Sequence, residues 1–522
     1  MLRINNVKVA LTEQNYRKRL SQVLNTREKE LRNVHLVKQS VDARRSQVHF
    51  ICSFDFEVDD EENFLKLHPQ VLKSEKYQYQ YLPQTNRHVV VVGSGPAGLF
   101  CAYILSQVGQ KVTLIERGAS IEQRVKDVEN LLQNGILLSH SNIAFGEGGA
   151  GTFSDGKLTT GIKNKRLSFI LETFVKYGAP RDILYLSKPH IGTDYLRDVI
   201  VRMRKDMEKH GVKFMFHTQM VDFQMKDDIK QVTIQNHGKI DTIEADELVL
   251  AIGHSARDTY EMLYQKGMNI QQKGFAVGVR IEHLQEHINQ IQYKKSASSP
   301  YLKAASYKLA VQTKEKRGVY TFCMCPGGVV VPSQHEKDTL CVNGMSNYAR
   351  DGMNANSAIL VNVNTDDFLS DHPLAGIEFQ RQLEKKAFQL GGSLYKAPVQ
   401  LVEDYMKGVI SSQFKGVIPT YPTGYVMADI NQIFPDFINR NLKEGLLLMD
   451  KKMPGFLNED TVITAVESKS SAPVRLMRNE NYESNFTGIY PIGEGAGYAG
   501  GIMSAAVDGI MCAEMILKKG DK

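Results

Sequence analysis

Residues 88–98 read His-Val-Val-Val-Val-Gly-Ser-Gly-Pro-Ala-Gly, and after a mostly apolar stretch residues 111–116 read Lys-Val-Thr-Leu-Ile-Glu. The pattern predicts a buried β-strand, a Gly-x-Gly-x-x-Gly turn, a helix, and a second strand closed by an acid. That arrangement binds a dinucleotide. The run of valines from 89 to 92 suits a strand covered on both faces of a parallel sheet. Gly93 permits the tight turn, Gly95 lets a pyrophosphate approach the backbone, and Gly98 lets the helix pack against the strand. The helix entered through Pro96 and Ala97 aims its free N–H groups and positive dipole end at the phosphates. Glu116 stands where a carboxylate accepts hydrogen bonds from ribose hydroxyls and disfavours the 2′-phosphate of NADP.

The 522 residues have room for about two to four domains. An apolar fraction of 42% with 23% charged residues excludes a disordered chain. No apolar run approaches the roughly 20 residues of a membrane span. The opening Met-Leu-Arg-Ile-Asn-Asn has no long apolar core, so no secretory leader is expected. Cys52, Cys101, Cys323, Cys325, Cys341 and Cys512 are scattered without paired zinc spacing. A reducing cytoplasm and no metal site are the expectations. Residues 1–50 hold eleven Lys/Arg against four Asp/Glu, and an acidic run from Asp55 to Glu62 reverses the sign. A solvated, charge-mixed small domain accounts for this; a nucleic-acid surface is the alternative partner reading.

The fold class expected is α/β: a Rossmann-like domain of the two-dinucleotide-fold type, an inserted α+β substrate domain, and a small N-terminal α/β domain. Periodicity places the N-terminal unit at 1–80 and the first part of the dinucleotide domain at 86–273. The inserted substrate or cap domain takes 274–440, and the C-terminal return 441–522. Residues 140–161 read as a polar, Gly-rich loop. From Tyr195 to Gly211, Leu196, Val199, Ile200, Met203 and Met207 share one face of a helix, with Gly211 at its C′ position. Strands are expected near 212–223, 229–236 and 239–244, and a buried one from Glu247 to Gly253. Residues 488–497, Gly-Ile-Tyr-Pro-Ile-Gly-Glu-Gly-Ala-Gly, read as a strand and Gly-rich turn before a helix from Ile502 to Ile516.

The pair formed by 89–116 and 488–510 resembles the glutathione-reductase-like superfamily of FAD flavoproteins. More narrowly, the whole chain resembles the bacterial family of uncharacterised FAD-dependent dehydrogenases with an extra N-terminal domain. The stretches that carry this begin at Phe145 (FGEGGAGTFSDGKL), Leu250 (LAIGHSARD), Thr321 (TFCMCPGG) and Gly493 (GEGAGYAGGI). The resemblance implies FAD as cofactor and an oxidoreductase that passes hydride or electrons through it. It implies no substrate. The flavin ring would lie between the C-terminal Gly-rich motif and the 274–440 domain.

The resemblance also implies roles for single residues. Gly493, Glu494, Gly500, Gly501 and Ile502 bring an acid to the ribityl chain and helix N–H groups to the flavin; Glu494 stands where most members have aspartate. The 146–157 loop crosses the cofactor, so Gly149, Gly151 and Ser154 bind it, and Lys157 faces the flavin's pyrimidine edge, where a cation stabilises the anionic reduced ring. The same loop fits phosphate-loop spacing up to Lys157, but Leu158 replaces the required hydroxyl and no strand precedes it. The backbone at Val221 pairs with the adenine edge, and Arg117 reaches the adenosine. Ala251 and Gly253 pass beside FAD, which leaves His254 and Arg257, with Lys157, as catalytic candidates. His254 is read as a proton donor or acceptor.

Cys323 and Cys325 fall on an expected strand, where alternation sends both to one face, and read as buried small hydrophobes rather than a redox pair. No second Gly-x-Gly-x-x-Gly follows a strand, so the separate NAD(P) domain of the disulfide reductases is missing; NAD(P)H as a transient donor stays open. Two other functions remain: a flavin enzyme acting on RNA or a protein-bound substrate docked by the basic N-terminal unit, and a non-catalytic FAD-binding regulator.

Overall fold

The structure is a computed structural model that describes residues 1–45 and 47–520. Its N-terminal unit is a four-stranded antiparallel sheet in the order Arg32–Asp42, His49–Glu57, Leu2–Val9, Val71–Lys73. Leu2 and Ile4 face the core, and so do Val7 and Val9, although the two pairs are out of phase for a period of two. A register shift between Ile4 and Val7, with Asn6 at φ 60°, absorbs the odd residue.

The second unit is built on a five-stranded parallel sheet in the order Ile489–Pro491, Glu247–Leu250, His88–Val92, Lys111–Ile115, Lys213–Met215. Val89 and Val91 pack with the helices Pro96–Gln107 and Ile502–Lys518. Val90 and Val92 pack with Met220, Phe223, Val232 and Ile234 of a three-stranded antiparallel sheet over 218–245. The unbroken valine run therefore reflects a strand covered on both faces, as its sequence predicts. A Cβ on Gly509 would lie 2.0 Å from the carbonyl oxygen of Ala97, so glycine sets how closely the two helices cross.

The third unit is a seven-stranded mixed sheet: Ala310–Gln312, Gly318–Cys325, Asn354–Val363, Phe275–Leu284, Val462–Glu467, Ala397–Leu401, Tyr425–Met427. Helices Ala375–Leu390 and Asp436–Lys452 bury Leu383, Ala387, Ile438, Leu442 and Leu446 in its core. This moves the expected return at 441. The helix Asp436–Lys452 and the strand Val462–Glu467 belong to the inserted layer, and the chain leaves it at Val474–Leu476. All six residues of Val462–Glu467 are buried. A strand buried on both faces carries no polar side to say which sheet it joins. Entry and exit lie side by side, with Ile270 opposite Leu476 and Gln272 opposite Val474 in an antiparallel pair.

Candidate functional site

A cavity of about 620 Å³ lies where the parallel strands end. Val92, Ile115, Ala251 and Ile492 mark the carboxyl ends of four of these strands and line it. The opposite wall comes from the inserted layer through Thr321, Phe322, Cys323, Met324 and Asn343. Ligands of open α/β sheets bind at this edge.

Most of the sequence-predicted residues meet here. Gly93, Gly95, Pro96, Ala97, Glu116 and Arg117 line the cavity from the first turn and second strand, and Gly149, Gly151, Ser154 and Lys157 from the loop. Ala251, Gly253 and His254 line it from the third strand's end, and Gly493, Glu494, Gly500, Gly501 and Ile502 from the C-terminal motif. Gly98 lies behind the wall, where a Cβ would come 1.9 Å from the carbonyl oxygen of Gly93, so its role is packing.

Two predictions need correction. Strand Thr218–Lys226 meets the cavity with Thr218, Gln219 and Met220, not with Val221. A register irregularity between Met220 and Asp222 falls on Val221. Arg257 is 2% exposed and turned away from the cavity. Its guanidinium donates to Glu384 at 2.8 and 3.0 Å, to Glu336 at 2.5 Å and to Gln380 at 3.3 Å. It joins the helix Arg257–Gln265 to the helix Ala375–Leu390 of the inserted layer.

Two helix N-termini open onto the cavity. Gly95 caps the helix Pro96–Gln107 and Gly501 the helix Ile502–Lys518, neither with a side-chain cap, so the free N–H groups face the cavity wall. Together they make an anion site without charged side chains. The glycines test whether a bound group fits. At Gly93 the backbone at φ 101° and a Cβ position 2.3 Å from the Ala251 carbonyl oxygen already demand glycine. At Gly95 (φ −70°) the first atom a Cβ meets is 3.8 Å away, and at Gly500 nothing lies within 4 Å. Neither the protein's backbone nor its packing requires glycine at these two positions; the space beside them suits the backbone-hugging pyrophosphate and ribityl chain of FAD.

Glu116 has a second task. Its carboxylate accepts from Ser94 N (3.0 Å), Ser94 Oγ (2.7 Å), Gly118 N (2.9 Å) and Gly146 N (3.1 Å), tying the strand end to the Gly-rich loop. Sequence reading missed the residue that shapes this loop most. Arg124, fully buried, donates to the carbonyl oxygens of Asn142, Ile143, Gly146, Glu147 and Gly149. Burial lowers its guanidinium to about 10. A signal was present: Arg124 interrupts the apolar face Ile121, Val128, Leu131 of the helix Ile121–Asn134. A cation on a buried stripe must find acceptors.

The ionisable groups at the wall are displaced by burial. His254 has Nδ1 2.8 Å from Ser255 Oγ; burial, then Lys469 and Arg257, depress its imidazole to about 4, so it is neutral near pH 7. Burial raises the Glu494 carboxyl to about 7, against weaker opposition from the Gly501 backbone and Lys273. Lys157 Nζ donates to the Met324 carbonyl oxygen and lies 3.6 Å from Asp155. Ser154 Oγ is engaged within its own loop, donating to Gly151 O and accepting from Gly156 N.

The cysteines do not alternate as expected. The register of strand Gly318–Cys325 breaks between Phe322 and Cys325, and Cys323 adopts φ 41°. Cys325 is buried with Sγ 3.2 Å from the Cys323 carbonyl oxygen, whereas Cys323 is exposed and lines the cavity. The exposure is to the cavity and not to bulk water, since the surrounding walls push its thiol up to about 11. Among the described residues no group of three or more His, Cys, Asp or Glu is placed to hold a metal, and no helix is long and apolar enough to cross a membrane.

The family described as FAD-dependent protein, C-terminal domain-like, matches residues 274–470. Pyridine nucleotide-disulphide oxidoreductase families match 88–140 and 172–288, and a domain of unknown function matches 1–57. An "Uncharacterized protein" of Clostridium beijerinckii is 45% identical over 531 residues, covering 100% of this chain and 99% of its own. An L-amino-acid oxidase of Naja atra is 39% identical over 75 residues, 14% of this chain and 13% of its own. Among solved structures, CtdE in complex with FAD and a substrate shares 11% identity over 83% of this chain and 82% of that one, TM-score 0.35. The flavin-dependent halogenase CmlS shares 13% over 83% and 58%, TM-score 0.37. The chain belongs to the family of the Clostridium beijerinckii protein, a family of FAD-dependent proteins with this C-terminal domain, and is an FAD-dependent oxidoreductase.

Proposed function

We propose that the cavity between the parallel sheet and the inserted layer holds FAD, and that an organic substrate meets it on the side of Phe322–Met324. The vacant space beside Gly95 and Gly500, at a wall served by two helix N-termini, is the observation that carries this reading. Bound FAD supplies hydride or single-electron transfer. The N–H groups after Gly95 and Gly501 hold its phosphates and polar edges, and Gln219 and Met220 take the place expected of Val221 beside the adenine. Glu494 would accept from a cofactor hydroxyl, a hydrogen bond that favours its carboxylate form. In the tautomer whose Nδ1–H donates to Ser255 Oγ, neutral His254 leaves Nε2 to accept a hydrogen bond from a substrate hydroxyl or amine and so orient it, while its depressed pKa disfavours forming the imidazolium.

The test fills the reserved space. Gly95→Val and Gly500→Leu leave the circular dichroism and thermal unfolding of the apoprotein close to wild type but abolish quenching of added FAD fluorescence. Wild-type FAD affinity in both variants refutes the placement. Anaerobic titration of the wild-type holoprotein with NADH and NADPH then decides whether a nicotinamide reduces it in the absence of a second nucleotide fold.

A further inference from the structure

The cavity has a charge asymmetry that FAD binding does not use. Its two lining carboxylates, Glu116 and Glu494, both lie on elements of the parallel-sheet unit. On the substrate side Lys157, Lys188, Lys308 and Arg350 line it without a lining carboxylate. Asp155, buried behind them, is the counterion, and it is already taken: Arg350 donates to it through Nε at 2.9 Å and through Nη2, Ser346 Oγ donates to it, and Lys157 is 3.6 Å away. Lys188 Nζ donates to Ser306 Oγ at 3.2 Å, and among the described residues neither Lys188 nor Lys308 has an ion-pair partner. Both are exposed and line the cavity, so they stand where it opens to solvent. Burial and the neighbouring Arg350, Lys157 and Lys308 all depress the Lys188 ammonium, the mark of cations crowded without compensation. A concave wall of one sign concentrates ligands of the other.

We propose that the substrate carries an anionic group, a carboxylate or a phosphate, bound at the cavity mouth by Lys188 and Lys308 with Arg350 behind them. The inference rests on the cavity being the flavin site. It adds the substrate's charge and the residues that select it. Lys188 donates to Ser306 Oγ, and Lys308 precedes Leu309, whose N–H donates to Thr321 Oγ1 at 2.8 Å, so both are tied to the inserted layer and neither belongs to the two helices whose N-termini serve the cofactor phosphates. Their charge therefore remains for a second ligand.

Holoprotein reconstituted with FAD is titrated calorimetrically with malonate and, separately, with inorganic phosphate, at constant ionic strength set with sodium chloride. The flavin absorbance is followed in parallel. At least one probe binds and perturbs the flavin spectrum; malonate alone assigns a carboxylate substrate, phosphate alone a phosphate ester, and both together a general anion site. Lys188→Gln and Lys308→Gln each weaken that binding about three- to fivefold, as expected of exposed charge pairs, and the double variant more than tenfold. FAD affinity, read by fluorescence quenching, stays within twofold in all three. The inference is overturned if neither probe binds, if the variants bind the probe like wild type, or if FAD affinity falls in step with the probe, which would give the lysines to the cofactor. A chain that takes up no FAD defeats the flavin site and this inference together. Normal FAD uptake without anion binding defeats the inference alone.

Discussion

Replacing Arg257 by methionine separates a catalytic arginine from a structural one. In the wild type Glu384 is fully buried and accepts from Arg257 at 2.8 and 3.0 Å and from Ser468 Oγ at 2.6 Å. Glu336 is less dependent, since Arg381 also donates to it, at 2.8 Å. Methionine keeps the aliphatic bulk but strands the Glu384 charge. Breaking a buried pair from one side costs about 3–5 kcal/mol, so Arg257→Met lowers the denaturation midpoint substantially. Glu384→Met strands Arg257 less severely, because Glu336 remains. The double variant recovers most of the loss, a coupling of roughly 2–4 kcal/mol by the same argument. The pH dependence follows from the carboxyl. Glu384 is held below the usual carboxylate range chiefly by Arg257, against its own desolvation. Its contribution is present above the unfolded value near 4.5 and is lost as pH falls through the lower folded value. The deficit of Arg257→Met is therefore full at pH 7 and shrinks toward pH 4, where the stranded carboxyl protonates. The assay is urea unfolding of the four proteins at both pH values, read as midpoint shifts at constant slope. A variant Arg257→Met that unfolds like wild type yet cannot be reduced would refute the structural role and restore the catalytic one.

Three further outcomes are expected. Glu494→Gln stabilises the apoprotein at pH 8 by up to about 3 kcal/mol but hardly at pH 4, because a carboxyl raised from 4.5 to about 7 costs stability as pH rises through that window. An equal effect at both pH values in paired melts contradicts this. Arg124→Met takes a donor from five loop carbonyls and leaves those of Asn142 and Ile143 without one, since Gly149 N, Thr152 Oγ1 and Thr152 N still serve the other three; it destabilises the 140–153 segment by several kcal/mol (about 1–3 for each group left without water) and releases FAD, and limited proteolysis that leaves this loop as resistant as in wild type counts against it. Cys323 is the exposed thiol among six, so the apoprotein shows one thiol that reacts ahead of the other five, slowly near pH 7 and faster as pH climbs toward 11, and FAD protects it. A fast phase that survives in Cys323→Ser assigns it elsewhere.

The sequence reading succeeds where the chemistry is local. The turn at Gly93–Gly98 and the motif at Gly493–Ile502 each supply, within a few residues, a strand end, a bare backbone and a helix N-terminus, so spacing suffices to place them on the cavity. It fails where a residue's meaning depends on a distant partner. Arg257 follows His254 by three positions and reads as its neighbour in the site, but its acceptors, Glu336, Gln380 and Glu384, are supplied by another layer. Arg124 sits on an apolar helix face, but no spacing in the sequence names the loop carbonyls it serves. Alternation failed at Cys323, and the place the resemblance implies for Val221 was missed, at the same kind of spot: each sits at a register irregularity, which one-dimensional periodicity cannot show.

The same distinction explains why the cofactor side was easier to read than the substrate side. The cofactor wall is made of strand ends of a single parallel sheet, whose βα turns are short and repeat a known geometry. The substrate wall is shared between the 154–190 stretch of the parallel-sheet unit and an insertion whose two crossings, Ile270–Gln272 and Val474–Leu476, are hydrogen-bonded to one another. That pairing anchors the inserted sheet at one edge and brings residues as far apart in sequence as Lys157, Lys308 and Arg350 to one surface. Their convergence has no signature in spacing, because each belongs to a different loop. Their common charge is nevertheless conspicuous in three dimensions: four cations meet with one buried counterion, in a protein whose net charge over 522 residues is only +6. So evenly balanced a set of charges gives no bias of its own toward cations at any one place. The imbalance is therefore a property of the site, and the ligand that neutralises it is expected to be an anion.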